Sequence, residues 1–184
     1  MEGIILAAGL SSRLPAYKLT QVVKDKPLLL HTLDTMLMFC TKIYIVTGHK
    51  HKQIENLVKD YTNVVCVFNH VYKEGMFSSV KLGVSQINDD FFMIPADCPF
   101  VLPSTYESLL ENLGQVIIPS YDYKAGHPIR ISHHLKELIL ESDKPHLRAF
   151  LSEYDKVYVT VDDPYVLVDI DTPEDLNKVR GYLE

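Results

Sequence analysis

The sequence of 184 residues has no block of basic residues, no long apolar run and few cysteines. No window approaches the roughly 18 consecutive apolar residues of a membrane-spanning helix, and the N-terminal residues carry no cationic segment of a signal peptide. We therefore expect a cytoplasmic protein without a membrane span. The net charge of −6 argues against extended contact with nucleic acid, whereas a small anionic substrate needs only a few local cations.

Cys40, Cys66 and Cys98 are odd in number, widely spaced, and lie in or beside apolar stretches. This pattern predicts buried thiols. No pair of ligands has the short spacing of a zinc site. The sequence also lacks a Walker loop and a Gly-x-Gly-x-x-Gly dinucleotide turn, so neither of these common nucleotide-binding loops is expected.

Short apolar runs typical of strands alternate with stretches of helical periodicity along the whole chain. The alternation predicts a single domain, residues 1–184, with a three-layer α/β/α, doubly wound, mainly parallel sheet. Ser104, three residues before Glu107, predicts a capping box at the start of one helix, and Thr172 predicts the cap of the last helix. The predicted strands are 3–7, 42–47, 64–68, 91–94, 116–118, 128–131 and 156–161, and the predicted helices are 27–40, 53–61, 76–87, 104–113, 135–140 and 145–154.

In open α/β sheets, ligands bind beyond the carboxyl ends of the strands. Polar residues follow apolar runs at three such places, residues 8–18, 95–99 and 169–171. At the first of them, small residues would let backbone N–H groups approach an anion closely. Arg13 and Lys18 add cationic donors to the same loop. The composition suits a phosphate cradle, and a polar surface turn with solvated cations is the alternative.

Carboxylates occupy the other two places. Asp97 lies between two prolines after the apolar run 91–94, where it could bind Mg²⁺ or simply serve a turn. Asp169 and Asp171 follow the apolar residues 166–168, and strand alternation would point them to opposite faces. Only one of the two should therefore share a metal with Asp97. The alternative for Asp171 is that it supports the start of the last helix.

Five motifs follow one another in order along nearly the whole chain. The motifs are Leu6-Ala-Ala-Gly-x-Ser-x-Arg with Lys18, Asn69-x-x-Tyr-x-x-Gly-Met-Phe-Ser-Ser-Val80, Pro95-Ala-Asp-x-Pro-Phe100, Gly126-His-Pro128 and Asp169-Ile-Asp-Thr-Pro-Glu-Asp-Leu176. With these motifs, the sequence resembles the molybdenum cofactor cytidylyltransferases and their short relatives that act as molybdenum hydroxylase accessory proteins. The resemblance implies a nucleotide-diphospho-sugar transferase type of fold.

The resemblance further implies an activity and its residues. CMP would pass from CTP to the phosphate of molybdopterin with release of pyrophosphate, with Mg²⁺ as cofactor. Because such a transfer needs alignment and little covalent help, we expect no nucleophilic side chain. Arg13, Lys18 and Asp97 would be catalytic, Asp97 and Asp171 would hold the metal, and Gly126, His127 and Pro128 would line the acceptor side. The nucleotide-binding residues implied are Leu6, Ala7, Ala8, Gly9, Ser11, Ser12, Arg13, Lys18, Gly75, Met76, Ser78, Ser79 and Asp97.

Two details of the first motif separate this chain from its relatives. Relatives that use guanosine nucleotides tend to show Leu-Ala-Gly-Gly, so Ala8 favours cytidine. Relatives commonly carry glycine two residues after the loop arginine, where this chain has Pro15, which lacks an N–H and has a fixed φ. We therefore expect a different path between Arg13 and Lys18.

Two other functions remain open at this point. A cytidylyltransferase acting on a phosphosugar or polyol phosphate would keep the fold and metal but change the acceptor pocket. A non-catalytic carrier would deliver the molybdenum cofactor to a partner molybdenum hydroxylase. Retention of Arg13, Lys18, Asp97 and Asp171 argues against a pure carrier, which has no need of residues for a metal and pyrophosphate.

Overall fold

The computed structural model describes residues 1–9, 17–172 and 174–175. Its strands and helices alternate as the apolar runs predict, and short 3₁₀ helices occupy Lys18–Thr20, Tyr72–Glu74, His133–Leu135 and Pro164–Leu167. In chain order the elements are β1 (Glu2–Ala7), β2 (Val22–Val23), β3 (Lys26–Pro27), α1 (Leu28–Leu37), β4 (Lys42–Thr47), α2 (His51–Val58), β5 (Val64–Phe68), α3 (Met76–Gln86), β6 (Phe91–Pro95), α4 (Pro103–Leu110), β7 (Val116–Tyr121), β8 (Lys124–Ala125), β9 (Ile129–Ile131), α5 (Lys136–Glu141), α6 (Leu147–Leu151) and β10 (Val157–Thr160).

Eight of the strands form one sheet. Seven of them follow the order β10-β7-β9-β6-β1-β4-β5, and β8 pairs with β7 beside this path. The pairs β6–β1, β1–β4, β4–β5 and β10–β7 are parallel, whereas β9 runs antiparallel to both of its neighbours. The predicted mainly parallel sheet is therefore confirmed. A separate antiparallel ribbon joins β2 and β3.

Helices cover both faces of the sheet. Successive strand side chains point to opposite faces, so Ile5 belongs to the core under α1, α2 and α4, while Ile4 belongs to the core under α3, α5 and α6. Both isoleucines are fully buried. Burial on both sides explains why β1 is a continuous apolar run rather than an alternating one. The architecture is the predicted three-layer α/β/α arrangement.

The order of strand addition reverses at β1. The chain first adds β4 and β5 on one side of β1, and then crosses the opposite face through α3 to place β6 on the other side. Such a reversal leaves a crevice beyond the carboxyl ends of the two central strands. Residues after β1 and β6 therefore lie together at this edge of the sheet.

The predicted capping box at Ser104 is wrong. Helix α4 begins at Pro103, and its N-cap residue, Leu102, makes no side-chain hydrogen bond to the helix. The buried Asp163 instead accepts hydrogen bonds from Leu102 N (2.9 Å) and Thr105 Oγ1 (2.7 Å). Its other oxygen accepts from Tyr165 N (3.0 Å) and so caps the 3₁₀ helix Pro164–Leu167. One carboxylate thus starts two helical segments.

Replacing Asp163 with alanine is expected to lower the free energy of unfolding by about 2–4 kcal/mol, because three donors lose their acceptor at once. Urea denaturation followed by circular dichroism measures this loss. Asp162→Ala, at the exposed neighbouring carboxylate, is the matched control and should change stability little. Equal unfolding midpoints for the two variants would contradict the capping role.

The segment that leads to Asp169 is not a strand of the sheet. Residues 164–167 form a 3₁₀ helix, because Pro164 and the Asp163 cap start a helical turn there. Beyond it, Thr172 Oγ1 accepts from Asp175 N (3.1 Å) and Asp175 Oδ2 accepts from Thr172 N (2.9 Å). Thr172 thus caps the start of a helical turn, as predicted.

Within the described ranges, no helix combines the length and apolar character needed to cross a membrane.

Candidate functional site

A cavity of about 350 Å³ opens at the crevice between β1 and β6. Its wall combines the end of β1, the end of β6, the first 3₁₀ helix, the start of α3 and the segment after the last 3₁₀ helix. Most residues that the sequence predicts for nucleotide binding are brought together here. The lining residues are Leu6, Ala7, Ala8, Gly9, Lys18, Leu19, Tyr72, Met76, Ser79, Pro95, Ala96, Asp97 and Asp171.

The loop after β1 forms the floor of the cavity with small residues. Ala7 and Ala8 are buried, whereas Gly9 is exposed and has open space where a Cβ would stand. The Tyr17 hydroxyl donates to the Ala7 carbonyl (3.3 Å) and fastens the far end of the loop to β1. Burial raises the pKa of Tyr17 to about 12, so this donor stays protonated. A bound group can approach this backbone closely.

At the polar end of the cavity, three oxygens hold the Lys18 ammonium group. Lys18 Nζ lies 2.7 Å from Asp97 Oδ2, 2.8 Å from Asp171 Oδ1 and 2.9 Å from the Ile170 carbonyl oxygen. The Lys18 side chain is only 10% exposed, while those of Asp97 and Asp171 are 24% and 41% exposed. The ammonium is thus enclosed, and the carboxylates keep one side open to the cavity.

The two carboxylates keep the Lys18 side chain protonated. Burial by itself lowers the pKa of Lys18, but Asp97 and Asp171 outweigh it through charge and hydrogen bonding and raise the pKa above its usual value. Asp169 is exposed and lies outside the cavity lining. Partial burial and the negative charges of Asp97 and Asp171 raise the pKa of Asp169. Of the two carboxylates after the last 3₁₀ helix, Asp171 is the one joined to Asp97 through Lys18.

The donor set suits a hard divalent cation. Two carboxylate oxygens converge on one point, and Mg²⁺ in proteins is commonly bound by one or two carboxylates together with substrate phosphates. Across the described ranges, no group of three or more histidine, cysteine, aspartate and glutamate side chains has metal-binding geometry. Asp97 and Asp171 therefore fit a magnesium ion shared with a nucleotide better than a closed, all-protein metal site.

The cavity wall between β5 and the start of α3 is organised by Asn69, which is 2% exposed. Its amide nitrogen donates to Ser78 Oγ and Ser79 Oγ (2.9 Å each), and its side-chain oxygen accepts from Val71 N (3.0 Å). These bonds tie the end of β5 to the first turn of α3. Sequence reasoning quoted Asn69 inside a motif but gave it no role, because its partners are fixed only by the loop between them.

Gly75 and Ser78 lie at the start of α3 and shape the turn that leads into it. Gly75 precedes α3 with φ of +114°, a conformation that L side chains rarely adopt. Ser78 Oγ donates to the Gly75 carbonyl (2.8 Å). Met76, next to Gly75, and Ser79, next to Ser78, both line the cavity. Of the four predicted residues in this segment, two line the cavity and two shape the turn that presents them.

Gly126, His127 and Pro128 lie outside the described lining of this cavity. His127 N donates to the Val166 carbonyl (2.9 Å), and a Cβ on Gly126 would stand 2.4 Å from the same oxygen. Position 126 therefore needs glycine because its backbone packs closely on the 3₁₀ helix Pro164–Leu167. Burial lowers the pKa of His127 despite the charge of Asp97, and His127 Nδ1 is buried without a hydrogen-bond partner among the described residues. Their acceptor-binding role stays a prediction.

Ser11, Ser12 and Arg13 fall outside the described residues, as does Pro15. Their predicted contacts with phosphate, and the predicted detour at Pro15, stay predictions. Tyr72 and Leu19 are lining residues that sequence reasoning missed. An aromatic residue inside a recognised motif was the available signal for Tyr72, whereas nothing in the sequence distinguishes Leu19 from a core leucine.

Comparison with known proteins agrees with this geometry. Residues 3–157 match the MobA-like NTP transferase domain. The chain is 29% identical to a molybdenum cofactor cytidylyltransferase of Escherichia coli over 95% of this chain and 93% of that protein. It is 26% identical to a probable molybdenum cofactor guanylyltransferase of Thermococcus sibiricus over the full length of both. A solved nucleotidyl transferase from Methanothermobacter thermautotroptrophicus, 21% identical, superposes with a TM-score of 0.86 over 98% of this chain and 96% of that one. The chain belongs to the MobA-like NTP transferase family and is a nucleotidyltransferase.

Proposed function

We propose that the protein transfers CMP from CTP to the phosphate of a molybdopterin-type acceptor and releases pyrophosphate. The observation that carries this proposal is the convergence of Lys18, Asp97 and Asp171 beside the small-residue loop at the switch point of the sheet. A buried cation and two carboxylates serve phosphate and a divalent ion, whereas a carrier of a pterin needs neither. The named relatives in both nucleotide classes act on the molybdenum cofactor, which supports the acceptor.

The reaction needs alignment more than covalent help from the protein. An oxygen of the acceptor phosphate attacks the α-phosphorus, and the bond from that phosphorus to the pyrophosphate oxygen breaks. Lys18 supplies positive charge for the pyrophosphate that leaves, and Arg13 is proposed to assist it. The backbone N–H groups around Ala8 and Gly9 bind nucleotide phosphates. No side chain acts as nucleophile in this scheme.

Asp97 and Asp171 are proposed to hold Mg²⁺. When bound, this ion would offset the negative charge of the nucleotide oxygens during transfer. The contribution of the chain is to keep the two carboxylates fixed at one edge of the cavity. The backbone bond from Ile170 N to the Asp97 carbonyl (2.9 Å) joins the two carboxylate-bearing segments and fixes their separation.

The proposed preference for cytidine depends on Ala8. Ala8 lines the cavity and is buried, and its methyl group takes space that glycine would leave open. The relative with the higher identity of the two above is the cytidylyltransferase. A larger guanine base would need that space or a shift of the loop. A guanylyltransferase activity is the second candidate, favoured by the full-length match to the archaeal relative.

Pyrophosphate release tests the proposal. The purified protein is incubated with Mg²⁺, molybdopterin or its molybdenum form, and each of the four ribonucleoside triphosphates in turn. Release with CTP alone is expected. Release with GTP alone would replace the cytidine assignment by guanosine. If CTP gives pyrophosphate only when a phosphosugar or polyol phosphate replaces molybdopterin, the assigned acceptor is wrong. If the protein binds the molybdenum cofactor but no combination of nucleotide and acceptor gives pyrophosphate, a carrier is favoured.

A further inference from the structure

The cavity has two chemically different ends. Lys18, Asp97 and Asp171 form the charged end, beside β6. Tyr72, in the 3₁₀ helix between β5 and α3, and Met76, the first residue of α3, also line the cavity. Met76 is 66% exposed, which is unusual for a large apolar side chain on a cavity wall. An apolar surface and a charged cluster in the same cavity suit a ligand with a flat hydrophobic part and an ionic part.

Tyr72 has a fixed position in this wall. It packs so closely on Gly48, the residue after β4, that a Cβ there would stand 2.6 Å from Tyr72 Cγ and 2.7 Å from Tyr72 Cβ. That Cβ would also lie 2.9 Å from the Ala8 carbonyl oxygen. Glycine at position 48 thus allows Tyr72 to lie directly beside the loop that follows β1.

Asn69 fixes the backbone that carries Tyr72. Tyr72 N donates to the Asn69 carbonyl (3.4 Å), and Val71 N donates to the Asn69 side chain (3.0 Å). The same side chain holds the first turn of α3 through Ser78 and Ser79. The backbone at Tyr72 is thus held in place by the hydrogen bonds of the buried Asn69, which lowers the entropic cost of using the Tyr72 ring as a binding surface.

The two ends lie at a separation suited to a nucleotide. Gly48 follows β4, and β4 is two strands away from β6 in the sheet, which corresponds to about 10 Å. Phosphates at Lys18 would therefore leave the base over the wall that contains Tyr72. We infer that Tyr72 is the residue on which the nucleobase stacks. This inference rests on the proposed function, which puts the phosphates at Lys18.

Ligand binding to Tyr72 variants tests the inference. Tyr72→Ala should weaken CTP binding about tenfold, because stacking of a base on an aromatic ring contributes on that scale, and Tyr72→Phe should bind as the wild type does. Inorganic tripolyphosphate has no base, so its affinity should be the same in all three proteins. Tyr158→Ala, on the edge strand β10, is the matched control. Isothermal titration calorimetry measures each dissociation constant.

Tyr72→Trp gives a second readout that does not depend on the alanine variant folding. The sequence contains no tryptophan, so the new indole would be the only one, and a base stacked on it should quench its fluorescence. CTP should quench it, and tripolyphosphate should not. If CTP binds the wild type but leaves this fluorescence unchanged, or if Tyr72→Ala weakens CTP and tripolyphosphate equally, the stacking role is wrong while the proposed function stands. If the wild type binds no nucleoside triphosphate, both are wrong.

Discussion

Replacing Asp97 with alanine is expected to lower the rate of pyrophosphate release by at least about 100-fold, because a carboxylate proposed to hold the metal during nucleotidyl transfer is lost. The fold should remain intact for two reasons. The backbone contact from Ile170 N uses the Asp97 carbonyl and not its side chain. Lys18 also keeps Asp171 as a partner, so its ammonium is not left without a counter-charge. Steady-state kinetics with CTP and the acceptor, together with urea denaturation, measure both expectations.

The conservative variants make this prediction sharper. Asp97→Asn keeps the shape and removes the charge, so it should lose activity nearly as completely as the alanine variant. Asp171→Asn should also reduce turnover, whereas Asp169→Asn changes an exposed carboxylate outside the cavity lining and should have a small effect. Wild-type rates in Asp97→Asn with Mg²⁺ present would contradict the metal assignment. A larger loss in Asp169→Asn than in Asp171→Asn would exchange the roles of those two residues.

The sheet could be predicted from the sequence because its central strands are buried on both faces. Continuous apolar runs such as 3–7 and 91–94 are short enough to be strands, and the helical stretches between them give the parallel connections. Local patterns do not encode strand order, so the insertion of the antiparallel β9 between β6 and β7 could not be read from them. That order depends on which apolar faces fit together in three dimensions.

The wrong cap at Ser104 has the same origin. A capping box is a local pattern, and Ser104 with Glu107 satisfies it. The helix begins one residue earlier because Pro103 fits its first turn and Asp163, 61 residues from Leu102, supplies the acceptor. A long-range hydrogen bond to a buried carboxylate outcompetes a local one that is exposed to water.

The candidate site was largely predictable at the level of strand ends. Lys18, Asp97 and Asp171 follow apolar runs, and parallel topology brings the ends of β1 and β6 to one edge. Strand alternation predicts only that one of Asp169 and Asp171 shares a site with Asp97, and the preceding residues in fact form a 3₁₀ helix. The family resemblance, and not the alternation, implied Asp171. The contacts of Asn69 and the position of Tyr72 depend on an irregular loop, for which periodicity carries no information.

Replacing Lys18 with methionine is expected to reduce turnover by about 100-fold or more, because the charge proposed to support the leaving pyrophosphate is removed while the side-chain volume is nearly kept. The free energy of unfolding should fall by about 1–3 kcal/mol. Removing one partner of a buried ion pair costs more than that, but Asp171 is 41% exposed and is partly solvated. Lys26→Met is the matched control, since it removes a lysine paired with Asp34 at 2.5 Å outside the cavity lining. It should lose little stability and no activity.

The same variant is expected to respond more strongly to Mg²⁺ than the wild type does. The Lys18 ammonium lies at the point where Asp97 Oδ2 and Asp171 Oδ1 converge, so a divalent cation binding both oxygens must displace it. With methionine at position 18, the ammonium no longer competes for these two carboxylate oxygens, so a cation can bind them without displacing it. At saturating metal, each tenfold gain in affinity adds about 1.4 kcal/mol of stabilisation. Thermal unfolding across a Mg²⁺ titration should therefore show a larger rise in Tm for Lys18→Met than for the wild type or Lys26→Met. A smaller rise than in the wild type would mean that these two carboxylates do not form the cation site, whatever the loss of activity.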